Sequence, residues 1–239
     1  MRPDILFEDE HLVAIDKPSG LLSIPDRFDQ DIPSLSKILE SRYGEIFVVH
    51  RLDRETSGAI IFAKTAETHR LLNIQFESRR TSKKYIAVVE GRVSKDHDTI
   101  SLPIAPHHKR QGQMRVDEKN GKEALTEYTV LERYGHSTKV EITLHTGRQH
   151  QIRVHFAAIG HPLLVDRMYG NREEYFLSAV KRNYKAVGAE KPLIGRLTLH
   201  ASEISLTHPI KQLPLRIVAP LPKDIASLCK QLGKWDKEG

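Results

Sequence analysis

The sequence predicts a mixed α+β fold built on a largely antiparallel sheet. Three observations carry this. Short apolar runs of strand character recur at residues 5–7, 12–15, 59–63 and 85–89. Residues 139–144 alternate Val140, Ile142 and Leu144 in strict period two, and Tyr134-Gly135-His136-Ser137 separates them from residues 127–131, which is a hairpin pattern. Helical patterns are few and stand between hairpins instead of alternating regularly with strands, which argues against a parallel βαβ array.

In chain order, residues 5–7 and 12–15 flank the acidic turn Glu8-Asp9-Glu10 as a hairpin, and Pro18-Ser19-Gly20 turns the chain into a loop. Ser34 precedes Leu35, Ile38, Leu39 and Tyr43 at helical spacing, so a short amphipathic helix with a serine cap runs to Gly44. Residues 47–49 resume strand character, and 59–63 suit a buried strand. Thr65 caps a second helix, in which Leu71, Leu72, Phe76 and Arg79 recur three or four residues apart. Residues 85–89 form a strand closed by Gly91.

After the hairpin, Thr146-Gly147 leads into a helix in RQHQIRVHFAAIG. Ile152, Phe156 and Ile159 mark its face, and Gly160 stands where a C-terminal cap belongs, with Pro162 beyond it. Residues 171–191 are polar, helical in flavour and read as an insertion. Leu197, Leu199, Ala201 and residues 204–206 give more strand. Residues 215–218 give the last, before the stop Pro220-Leu221-Pro222.

With 239 residues, 39% of them hydrophobic, the chain reads as one large domain spanning 1–239, and disorder is excluded. No stretch approaches the roughly 18 apolar residues of a membrane helix. The opening MRPDILFEDE carries acids where a signal peptide needs a basic and then apolar run. The single Cys229 makes no internal disulfide and no paired-thiolate zinc site, so a soluble, cytoplasmic protein is expected. Lys and Arg total 37 against 31 for Asp and Glu, giving +6, which suits an anionic partner or simple solubility.

The densest polar cluster is His50-Arg51-Leu52-Asp53-Arg54-Glu55-Thr56-Ser57-Gly58, between two strand-like runs. Asp53 has cations on both sides, which keep a carboxylate ionised and available as nucleophile or base. The bland alternative is a turn former between solvated arginines. His50, His145, His150 and His155 raise a metal site. Yet His150 and His155 are five apart on the expected helix, about 500° round, and diverge where metal-binding pairs stand four apart. No metal is expected.

A G-x-S-x-G nucleophile turn and a phosphate-cradling G-x-x-x-x-G-K-[ST] are both absent. A zinc deaminase would need a P-C-x-x-C pair that one cysteine cannot supply. Basic residues cluster in Arg79-Arg80-Thr81-Ser82-Lys83-Lys84-Tyr85 and in 107–115, which reads as a loop. Each alone is equally a solvated helix end or hairpin tip. Together with Arg148 and Arg153 they favour RNA or DNA, whose phosphates take the charge while a base stacks on an aromatic ring.

HRLDRETSG at 50–58 resembles the active-site motif of the RluA branch of the RNA pseudouridine synthases. Asp16-Lys17-Pro18-Ser19-Gly20-Leu21-Leu22, Lys83-Lys84-Tyr85, the TGRxHQIRxH segment at 146–155, GHPLLVDRMYG and LTLHA agree with it in order. The resemblance runs from about residue 4 to 220. It implies a catalytic domain with a bent, mainly antiparallel sheet and flanking helices, acting on uridine in structured ribosomal or transfer RNA without cofactor or metal. The sequence departs from many relatives in one respect: the core-like pattern begins almost at residue 5, so the N-terminal S4-type RNA-binding domain that they carry is not expected here, and a monomer is expected.

By resemblance Asp53 is the catalytic aspartate, attacking the ribose or the uracil ring so that the base detaches, turns and rejoins the sugar through carbon. Arg153 corresponds to its basic partner. Tyr85 corresponds to the tyrosine that stacks on the flipped uracil and relays a proton, offsetting part of the flipping cost. Arg51 resembles the arginine that fills the space left by the flipped nucleotide. His50 orients the loop, Leu199 (or Leu197) closes the apolar side of the pocket, and Lys84 and Arg148 meet the RNA. Segments 105–123 and 171–191 lie where relatives differ and are expected to select the RNA. Two rivals are a non-catalytic RNA-binding protein of this fold and a histidine-based metallohydrolase. The intact Asp53, Tyr85 and Arg153 set argues against the first.

Overall fold

The computed structural model describes residues 3–181, 183–186 and 188–236. Its elements begin with β1 (Asp4–Glu8), β2 (Leu12–Lys17), α1 (Leu35–Tyr43), β3 (Phe47–Val48), β4 (Ser57–Ala63), α2 (Ala66–Glu77) and β5 (Ser82–Glu90). There follow β6 (His97–Ser101), β7 (Ile104–Pro106), β8 (Met114–Val116), β9 (Leu125–Arg133), β10 (Ser137–Leu144) and α3 (Gln151–Ala158). A 3-10 turn at Leu177–Ala179, β11 (Leu199–Thr207), β12 (Pro214–Val218) and α4 (Lys223–Trp235) complete the chain. Two compact units result. The first takes the chain up to Tyr85 together with His200–Pro220, and the second takes Ile86–Leu199 and the chain from Leu221 on.

In the first unit the strand order is β1-β2-β4-β11, with β3 also on β4 and β12 on β11. Every pairing among these is antiparallel except β4 with β11. All seven residues of β4, SGAIIFA, are buried, as a central strand flanked on both edges requires. Leu12, Ala14, Ile61, Leu72, Ile204 and Ile217 form the core, and each large one contributes about 1.5–3 kcal/mol through burial. Gly58 sits at φ +114, and a Cβ there would stand 2.2 Å from the Ala201 carbonyl oxygen. A glycine is therefore what lets β11 approach β4 where the polar segment 50–58 ends.

Thr65 caps α2 as expected, accepting from the Thr68 N–H at 3.2 Å. Arg79 does not continue that helix, which ends at Glu77 and leaves Arg79 left-handed at φ 55. Ser34 stands at the N-cap of α1, but its hydroxyl makes no capping bond. The Leu35 and Ser36 N–H groups donate instead to the carbonyls of Leu22 and Ser23, so a neighbouring loop does the capping.

In the second unit β5, β10, β9 and β6 lie in that order, and β7 and β8 form a separate ribbon. The expected hairpin is β9–β10, with Ile142 opposite Tyr128 and Leu144 opposite Thr126. Helix α3 ends in the expected glycine, Gly160 at φ +82, and the His161 N–H closes the motif on the Phe156 carbonyl at 2.9 Å. His150, expected inside this helix, precedes it in the left-handed region at φ 54.

Two further sequence expectations fail. Segment 105–123 is not all loop, because β7 and β8 pair Ile104 with Val116 and Pro106 with Met114. Segment 171–191 holds no α-helix among its described residues, only the turn at Leu177–Ala179. The last strand does end before Pro220-Leu221-Pro222 as expected, but the sequence reading named no helix beyond it. Helix α4 follows, and its fully buried Ile225, Leu228 and Leu232 pack with Val88, Tyr134 and Leu164.

Candidate active site

Asp53 stands in the loop that leads into β4. Leu52 before it is buried, Asp53 is half-buried, and Arg51 and Arg54 on either side are exposed. The Thr56 N–H donates to the Asp53 carbonyl at 3.1 Å, closing the turn. A second loop, between β2 and α1, is bonded to this one. The wholly buried Lys17 donates through Nζ to the carbonyls of Leu21 at 2.7 Å, Pro18 at 3.0 Å and Arg54 at 3.0 Å. The Gly20 N–H also reaches the Arg54 carbonyl, at 2.8 Å, and Arg54 returns a bond from Nε to the Gly20 carbonyl at 3.0 Å. A buried ammonium satisfied by three carbonyls is a rigid link.

Tyr85, the last residue of β5 within the first unit, is only 8% exposed. Burial pushes its phenol far above the ordinary tyrosine value, and the Asp53 charge raises it further. The phenol thus stays protonated across the physiological range, close enough to Asp53 to feel its charge. The structure brings these two predicted residues together in one unit.

His50 carries no acid–base role at neutral pH. Its Nε2 accepts the Ile61 N–H at 3.1 Å, and its ring stacks on Phe76 with centroids 5.0 Å apart. Burial, with the nearby Lys83 charge, depresses its pKa to about 3, so the imidazole is neutral. Burial lowers Lys83 as well, and its Nζ stands 5.7 Å from the centre of the same Phe76 ring. His50 and Lys83 thus both lie near Phe76. Lys84 is half-buried in β5, where its carbonyl accepts the Ser202 hydroxyl at 3.1 Å.

Arg153 belongs to the second unit, on α3, with its side chain 8% exposed. Asp166 binds it through two bonds of 2.7 Å, from Nε and from Nη2, and the guanidinium lies 4.9 Å from the centre of the Tyr169 ring. Burial alone would raise the Asp166 carboxyl. The Arg153 guanidinium and the Met168 and Tyr169 N–H groups outweigh it and hold the carboxyl below its usual value. Arg148 precedes the same helix and donates through Nε to the Glu123 carbonyl at 2.9 Å. Leu199 and Leu197 are 3% and 4% exposed, so burial does not choose between them.

The histidines have separate partners: His145 with Glu127, His150 with the Tyr169 hydroxyl, and His155 with the Leu102 carbonyl. Among the described residues no group of three or more His, Cys, Asp or Glu side chains is placed to hold a metal. Likewise no helix among them is long and apolar enough to cross a membrane.

Sequence reasoning gave no role to Ser23, Lys17 or Asp166. Asp166 left one signal, an acid directly after the apolar run Leu163-Leu164-Val165; Lys17 left another, a cation beside Asp16 at the end of the apolar run 12–15.

The profile of the RNA pseudouridylate synthase family matches residues 11–158, more than half the chain. Ribosomal large subunit pseudouridine synthase D of Xylella fastidiosa is 37% identical over 234 residues, covering 96% of this chain and 69% of that one. The dual-specificity RNA pseudouridine synthase RluA of Pasteurella multocida is 38% identical over 218 residues, covering 91% of this chain and 92% of its own. Among solved structures, human RNA pseudouridylate synthase domain containing 1 superposes with a TM-score of 0.72 at 27% identity, covering 95% of this chain and 87% of that one. The chain thus belongs to the RNA pseudouridylate synthase family, in its RluA branch, and is an isomerase that converts uridine in RNA to pseudouridine.

Proposed function

We propose that the substrate is uridine in structured ribosomal or transfer RNA, and that Asp53 is the carboxylate that opens the N-glycosidic bond. The observation that carries this is the pairing of a half-buried Asp53, in a turn bonded to a second loop, with a buried Tyr85 whose phenol its charge perturbs. That is an acid–nucleophile arrangement on rigid backbone, next to a ring on which a flipped base can stack. Arg153 is the basic partner in the catalytic set, held in one orientation by Asp166.

Arg51, exposed beside Asp53, occupies the gap left by the flipped nucleotide. His50 holds the loop, Lys84 and Arg148 meet the RNA, and Leu199 closes the apolar wall. The exposed His108, Lys109 and Arg110 at the tip of the β7–β8 ribbon lie among the phosphates. The names of two relatives support this breadth: one is a ribosomal large subunit synthase, which favours ribosomal RNA, and another is called dual-specificity, which favours more than one target. The protein acts as a cytoplasmic monomer without metal or cofactor.

Ribosomal and transfer RNA transcribed with uridine tritiated at carbon five test the substrate separately, because bonding the sugar to that carbon expels its hydrogen. Release from either RNA supports the assignment, and release from neither overturns it.

A further inference from the structure

We propose that Ser23 is a positioning residue for Asp53, an inference that rests on Asp53 being the catalytic carboxylate. Ser23 lies in the loop between β2 and α1, is 3% exposed, and touches the catalytic loop 29 positions away. Its hydroxyl bonds one residue twice. Oγ donates to the Leu52 carbonyl at 2.8 Å and accepts from the Leu52 N–H at 3.1 Å. One side chain thereby fixes both polar groups of the residue before Asp53, including the peptide plane that leads into it.

Ser23 is itself held. Its carbonyl accepts the Ser36 N–H from the first turn of α1 at 3.2 Å. On the far side of Asp53, the Arg54 carbonyl takes bonds from Gly20 and Lys17, and the Glu55 carbonyl takes the Ser19 hydroxyl at 2.7 Å. Asp53 sits between two anchored stretches of backbone, and among the described residues Ser23 is the only side chain that bonds the upstream one at Leu52. Because these groups are buried, removing the hydroxyl leaves a donor and an acceptor on Leu52 that water does not readily satisfy. The backbone then shifts to satisfy them, and the carboxylate shifts with it.

The same unit offers a control. Gln75 grips Thr207 in the same reciprocal way, donating from Nε2 to its carbonyl at 2.8 Å and accepting its N–H at 3.1 Å. Gln75→Leu removes an equivalent pair of bonds from Thr207, at the opposite end of β11 from Leu199 and on neither of the loops that hold Asp53. Any loss common to both variants reports folding, and any loss confined to position 23 reports geometry at Asp53.

The experiment compares wild type, Ser23→Ala, Gln75→Leu and Asp53→Ala in the tritium-release assay at saturating RNA, with RNA Kd and melting temperature measured alongside. Ser23→Ala should lose on the order of 10- to 100-fold in kcat, the size expected for a misplacement of about an ångström. Its RNA Kd should stay within about twofold of wild type, and Gln75→Leu should keep its kcat while melting lower. If Ser23→Ala is unfolded at the assay temperature, Ser23→Cys, with a weaker donor of similar size, is read for the same kcat loss.

A wild-type kcat for the folded position-23 variant, with Asp53→Ala inactive, overturns the positioning role alone. Equal kcat losses in Ser23→Ala and Gln75→Leu overturn it too, as a general loss of structure. Activity surviving in Asp53→Ala overturns the catalytic reading beneath it, and this inference with it.

Discussion

Arg153 and Asp166 meet through two hydrogen bonds of 2.7 Å, with the carboxylate wholly out of solvent and the guanidinium nearly so. The bidentate geometry fixes the plane of the guanidinium as well as its charge. Asp166→Ala takes both 2.7 Å bonds from a buried cation, and breaking a buried pair on one side costs about 3–5 kcal/mol. Chemical denaturation of wild type and variant should show a loss of that size. Arg153→Lys, which keeps charge but loses the fork, should also be much less active than wild type.

Tyr85 and Asp53 set a limit on the pH profile. Burial and then the Asp53 charge raise the phenol's pKa, so it remains protonated at pH values where a free tyrosine ionises. The alkaline limb of kcat therefore contains no ionisation of Tyr85 below about pH 10. Profiles of wild type and Tyr85→Phe from pH 6 to 10 should share the same alkaline shape, at a lower level in the variant. A limb present only in wild type would contradict this.

His50 makes stability depend on acid. Its pKa falls from 6.5 in the free side chain to about 3 in the fold, through burial and then Lys83. Between those values the unfolded chain binds a proton at this position that the folded chain refuses. Stability contributed here is complete above about pH 6.5 and is lost as pH falls toward 3. Thermal melts from pH 7 to 4 should fall more steeply for wild type than for His50→Gln.

The ribbon tip should act through charge alone. Lys109→Gln with Arg110→Gln should weaken RNA binding at low salt and flatten its salt dependence, by roughly 0.7–0.9 in log–log slope for each phosphate that is no longer neutralised. Filter binding at several salt concentrations measures it. The kcat at saturating RNA should stay at the wild-type level.

What the sequence showed was mostly local. Strand β4 was legible because a continuous apolar run leaves little choice, and the β9–β10 hairpin because its period of two is strict. Asp53, Tyr85 and Arg153 were found through motif resemblance, and the structure places the first two in one unit and the third in the other. Helix α4 was missed although Ile225, Leu228 and Leu232 repeat at helical spacing, because Pro220-Leu221-Pro222 read as an end and not as an N-terminal lead-in. The ribbon β7–β8 has strands of three residues, too short for any period to register.

The partners of Ser23, Lys17 and Asp166 were illegible for a different reason. Each acts on a carbonyl, an N–H or a guanidinium that only the folded chain brings near: Ser23 on Leu52, Lys17 on Arg54, Asp166 on Arg153. No local pattern encodes such a pairing. The same holds for the stacking of His50 on Phe76, which sequence periodicity assigned only to a helix face.

The central claim is that the Asp53 carboxylate carries the chemistry, and release of tritium from carbon five of uridine tests it most directly. Asp53→Ala, folded as judged by its melt and binding RNA about as tightly as wild type, should release none while wild type releases label on the same RNA. Release by Asp53→Ala at the wild-type rate would contradict the account.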